Sequence, residues 1–121
     1  MKGWMVELPW PSRTGNRAVR HAGGRHYLSK EAAAYRDAVR RDLDRVRMAD
    51  RRLAGPYHVE LVLQPPDARA RDGDNLEKVL WDAIVKAGML VDDSNKVLPS
   101  ITRRWVEPGK PGSILVIGKE I

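Results

Sequence analysis

The chain is expected to fold as a single small α+β domain of order βαβαββ. Two helices should cover one face of a mixed sheet of about four strands. Three observations point there. First, two segments repeat apolar residues at helical spacing: Ala32, Tyr35, Val39, Leu43 and Val46, then Leu76, Val79, Leu80, Ala83, Ile84 and Ala87. Second, Tyr57–Gln64 alternates as a half-buried strand, and Ile114-Leu115-Val116-Ile117 is a short apolar strand run. Third, 121 residues leave room for one domain, 1–121, and a modest core.

Taken in order, Trp4-Met5-Val6-Glu7-Leu8 reads as the first strand, stopped by Pro9-Trp10-Pro11-Ser12. Residues 13–25 read as a loop rich in arginine and glycine. Glycine lets backbone approach a ligand closely, and Arg13, Arg17, Arg20 and Arg25 could grip phosphates. Ser29 is a suitable N-cap for a helix running to about Arg47 or Ala49. Its outer surface mixes Arg36, Asp37, Arg40, Arg41, Asp44 and Arg47, as a solvated scaffold face does. Gly55-Pro56 and Pro65-Pro66 bracket the second strand. The second helix starts near Asp74 or Asn75, and Gly88 is a natural residue just past its end. A third strand is expected over about Lys96–Val106, with Pro99 marking an edge or a late start. Glu107–Gly112 is a turn, and the last strand covers Ser113–Gly118. Two helices over four strands make a thin core with open edges, so a homodimer is expected.

Bulk composition narrows the function. Lys and Arg total 22 against 16 acidic residues, a formal +6, which favours a polyanionic partner, nucleic acid first. There is no cysteine, which excludes disulfides and thiolate metal sites and is compatible with the cytoplasm. No apolar run approaches the roughly 20 residues that span a bilayer, and no signal-peptide core is seen, so no membrane partner is expected. A P-loop and a dinucleotide glycine motif are missing, so no nucleotide cofactor is expected. His21, His26 and His58 lack zinc spacing.

Against that basic background, Arg71-Asp72-Gly73-Asp74-Asn75-Leu76-Glu77-Lys78, continuing to Asp92-Asp93, stands out for its acids. Alternate residues of an extended segment share a face, so Asp72 and Asp74 point the same way, and Lys78 follows one helical turn later. An EF-hand is excluded, because its fifth and twelfth positions hold Leu76 and Ala83. Oxygen ligands in a basic chain suit Mg²⁺, or Mn²⁺ in its place, held against phosphate. Phosphodiester hydrolysis needs charge neutralised on the scissile oxygens and a more acidic water, so Asp72, Asp74 and Asp93 make sense as ligands. Lys78 would stand by as a point charge. Each acid alone has a plainer explanation: Asp74 an N-cap, Asp72 a turn former, Asp92-Asp93 a polar loop. Asp82, four residues from both Lys78 and Lys86, reads as a helix-surface pair.

The chain resembles the RusA-type Holliday-junction resolvases, small endodeoxyribonucleases often encoded by prophages. The resemblance lies in Leu8-Pro9-Trp10-Pro11-Ser12, Asn16-Arg17, Arg20-His21, Ser29 and Tyr35-Arg36. Its most specific part is Arg71–Lys78 with Asp82-Ala83, Lys86-Ala87-Gly88 and Asp92-Asp93. It implies that Asp72, Asp74 and Asp93 bind catalytic Mg²⁺, that Lys78 is the catalytic lysine, and that Arg71 handles DNA, with Arg69 beside it. It also implies a homodimer making paired symmetric nicks in four-way junction DNA, in recombination and repair. The loop at Arg13–Gly15 and the alanines Ala68 and Ala70 depart from the family pattern, which bears on junction selectivity and sequence preference. Two other readings stay open: the same chemistry on another branched DNA, and a basic nucleic-acid-binding module whose acids are caps.

Overall fold

The structure, a computed structural model, describes residues 2–11, 19–22, 25–28, 30–71 and 73–121; the side chains of residues 19–28 and of Asp74 lie outside that description. The elements are β1 (Gly3–Pro9), β2 (Val19–Ala22), β3 (Arg25–Leu28), α1 (Lys30–Arg45), β4 (Tyr57–Gln64), α2 (Gly73–Lys86), β5 (Ser100–Trp105) and β6 (Ser113–Glu120). The main sheet has the order β1-β6-β4-β5, antiparallel except for the parallel β4–β5 pair. It is mixed, as expected, because β4 and β5 are joined through α2 whereas the other neighbours run in opposite directions.

Strand alternation decides which residues meet the helices. Val6 and Leu8 of β1, Val116 and Ile114 of β6, and Leu61 and Leu63 of β4 are buried and lie opposite one another in register, and Tyr57 and Val59 are buried further along β4. Onto them pack Ala32, Tyr35, Val39 and Leu43 of α1 and the apolar stripe of α2. Every residue of that α2 stripe is buried. Trp81, off the stripe, is buried as well. The Tyr35 hydroxyl donates to the Pro9 carbonyl at 2.8 Å, tying α1 to the end of β1.

Several boundaries differ from the sequence reading. The stretch read as a loop over 13–25 contains paired strands: Val19 lies opposite Leu28 and Ala22 opposite Arg25. Two four-residue runs separated by Gly23-Gly24 carry a short-hairpin signal that the density of arginine obscured. Helix α1 ends at Arg45 rather than at about Arg47 or Ala49, because Arg47 takes a left-handed φ of 62° and Met48 N donates back to the Leu43 carbonyl. Val46 therefore falls beyond the helix and is exposed instead of completing the buried stripe. At α2 the stop is as anticipated: Gly88 has φ 78°, and a Cβ there would come within 2.8 Å of Asp50 Oδ1. Strand β5 begins at Ser100, just after Pro99, and is a sheet edge. Strand β6 runs on to Glu120.

Asp82 pairs across the helices rather than along its own. Arg36 Nε and Nη2 reach its two carboxylate oxygens at 2.6 and 2.9 Å, a bidentate clamp between α1 and α2.

Candidate active site

The acidic motif lies where the chain leaves the β4 end of the sheet and enters α2. The loop before it is braced by its own side chains. Asp67 Oδ1 accepts from Arg69 N at 3.0 Å and from Arg71 Nη2 at 2.8 Å. The Arg69 N–H first, and the Arg71 and Arg69 side chains after it, hold the Asp67 carboxyl down at about 2. Arg71 also donates through Nη1 to the Asp67 and Arg69 carbonyls. Its guanidinium carbon lies 5.6 Å from the ring centroid of Trp10, a cation–π contact. Arg71 is thus largely packed into its loop, whereas the Arg69 side chain is 80% exposed and open to a ligand. Trp10, Gln64, Arg69, Arg71 and Asn75 line one broad open cleft beside the motif.

Of the expected metal ligands, Asp72 lies outside the described residues. Asp74 is placed only through its backbone, in the first turn of α2. Asp93 is described and exposed, in the segment after α2. Its neighbour Asp92 is committed locally: Oδ1 accepts from Ser94 N at 2.8 Å, and that N–H holds its carboxyl below the usual range. Lys78 is exposed on α2, one turn past Asp74. Among the described residues no group of three His, Cys, Asp or Glu side chains gathers as a metal site, a search that does not reach Asp72 or the Asp74 carboxylate. Arg13 and Arg17 lie outside the described residues; Arg20 and Arg25 are placed by backbone alone, in the β2–β3 pair.

One basic residue beside the motif escaped the sequence reading. Arg103 of β5 lies across Gly73, where a Cβ would meet its Nη1 at 2.9 Å. Its Nη2 is 2.6 Å from Glu77 Oε2 on α2. With no side chain at 73, this guanidinium lies close against the backbone of Gly73. Alternation within β5 put Arg103 on the helix-facing side, but nothing local said that β5 would run beside the start of α2.

The profile described as "Endodeoxyribonuclease RusA" matches residues 9–113 of this chain. The chain belongs to the RusA endodeoxyribonuclease family. It is 42% identical over 109 residues, 90% of its length and 89% of theirs, to proteins named crossover junction endodeoxyribonuclease RusA from Shigella sonnei strain Ss046 and Escherichia coli strain K12. The same identity and coverage hold for the one from Enterobacteria phage 82. The RusA match takes in the cleft, α2 and β5 together, so the motif and its surroundings belong to one homologous unit. Among the described residues no helix is long and apolar enough to cross a membrane.

Proposed function

We propose that this chain is a Mg²⁺-dependent, structure-selective endodeoxyribonuclease that resolves four-way DNA junctions by paired symmetric nicks, acting as a homodimer. The observation that carries the reading is membership of the RusA family with the Asp72–Lys78 motif intact at the start of α2. The donors are oxygen only, which fits a hard cation. Asp93 is open to solvent, and Asp92 beside it accepts from Ser94 N. Asp72, Asp74 and Asp93 would hold Mg²⁺, with Mn²⁺ able to substitute, and the bound ion would supply charge neutralisation and a more acidic water. The chain's own part is to bring a phosphate there. Lys78 offers a mobile positive charge one turn into α2, and Arg69 an exposed fork on the approach. The reading places the protein in the cytoplasm with its DNA.

Labelled four-way junction and linear duplex, each incubated with purified protein with and without Mg²⁺, test the proposal. Paired symmetric nicks in the junction, dependent on the metal, are expected. Junction affinity should fall steeply as salt rises, because phosphate contacts release counterions. Cleavage of linear duplex at the junction's rate, or none of either, would end the assignment.

The homodimer finds support on the outer sheet face. There Met5 is 65% exposed, and Ile117, Leu115 and Val62 are only half covered. Register puts Met5 opposite Ile117 and Leu115 opposite Val62, so the four form a contiguous patch. Covering it with a second copy removes apolar surface from water. Met5→Asp should shift sedimentation from two chains toward one; an unchanged dimer would place the interface elsewhere.

A further inference from the structure

We infer that the β5 edge carries a nucleotide subsite in which Trp105 stacks an unpaired base at the junction branch point and Arg103 takes the adjacent phosphate. The inference rests on the nuclease reading above and adds the part of the DNA that this edge would hold.

Trp105 ends the edge strand and is 41% exposed. It packs against the Trp10 ring, with centroids 6.1 Å apart and planes tilted by 54°. Trp10 in turn lies under the Arg71 guanidinium, and Arg71 immediately precedes Asp72. Trp10 thus has a neighbour in each of these two contacts and is partly buried between them, while Trp105 is the more exposed of the two rings.

Arg103 is two residues back along β5. Alternation puts it on the same side as Trp105, about 6–7 Å away at Cα. It lies against Gly73 and is paired with Glu77. Arg104 points to the other side, 3.8 Å from Glu60. The helix-facing side of β5 therefore presents a cation and an aromatic face in series, ending at the acidic motif. That combination holds single-stranded nucleic acid, one group for the backbone and one for a base, with little dependence on sequence. A continuous duplex offers no free base face, whereas a branch point can. The strip would then favour branched DNA without reading its sequence.

The test uses the full chain and a four-way junction carrying 2-aminopurine at the branch point, titrated without Mg²⁺. Wild-type protein should quench the probe through stacking, and Trp105→Phe should retain most of that quenching. Trp105→Leu, which keeps an apolar cover over Trp10 but has no aromatic face, should lose the quenching. It should also bind the junction about tenfold more weakly, with duplex affinity unchanged. Trp105→Thr, well suited to an edge strand, reads the same outcome should the leucine variant not fold. Arg103→Gln should lower the salt slope of junction binding by about one. Equal quenching and equal junction affinity in wild type, Trp105→Leu and Trp105→Thr would reduce Trp105 to packing and overturn the inference. If wild-type protein cuts junctions while those variants behave identically, only this subsite fails. If wild-type protein cuts no branched DNA in Mg²⁺, the nuclease reading itself has failed.

Discussion

Asp74→Asn removes junction cleavage, by about a thousandfold or more, while junction binding in the absence of metal persists. The amide has nearly the carboxylate's shape, and Asp74 is one residue inside the start of α2, so helix and fold should be unaffected. What it lacks is the negative charge that a hard cation requires. Binding has reason to improve slightly, since one anion near the DNA phosphates is gone. Parallel cleavage and gel-shift titrations on one labelled junction, with circular dichroism as the folding control, decide the matter. A variant that cuts at the wild-type rate would show that Asp74 takes no part in the chemistry, and would hand the function to a binding module.

Leu61→Ala should lower stability by about 2–5 kcal/mol, read as a reduced urea midpoint with an unchanged slope. Leu61 is fully buried at the middle of β4, with Val116 opposite on β6 and Arg103 opposite on β5. It faces the helices, and close packing on both sides leaves little freedom for the cavity to collapse. The placement also gives the substitution a functional readout. Loosening β4 loosens the neighbour that holds Arg103 against Gly73, so junction affinity should fall at temperatures where the protein is still folded. A loss below 1 kcal/mol would mean that the sheet's helix-facing side is not the core described.

Much of this protein was readable along the chain. Helical spacing alone placed the buried stripe of α2, though not Trp81 beside it, because an amphipathic helix shows its own period wherever it packs. Gly88 marked that helix's end, since few other residues tolerate its left-handed backbone. Alternation found β4, a short apolar run found β6, and Pro99 marked an edge or a late start for β5, which turns out to have both. Residue type and spacing singled out Asp72, Asp74, Asp93 and Lys78, and net charge a polyanionic partner, as expectations that the cleavage and binding experiments test. Failures came where two rules competed. Residues 19–28 hold strand pairs, but their arginines and glycines also suit a phosphate-gripping loop. Arg47's left-handed turn ended α1 before Val46 could join the stripe. Only the tertiary structure could say who faces whom. Asp82 meets Arg36 rather than a lysine of its own helix, Arg103 crosses Gly73, and Trp105 rests on Trp10. A periodic pattern records whether a side chain turns toward the core or toward water. Which distant residue waits there depends on strand order, and that order is set by how β4, α2 and β5 pack as a unit.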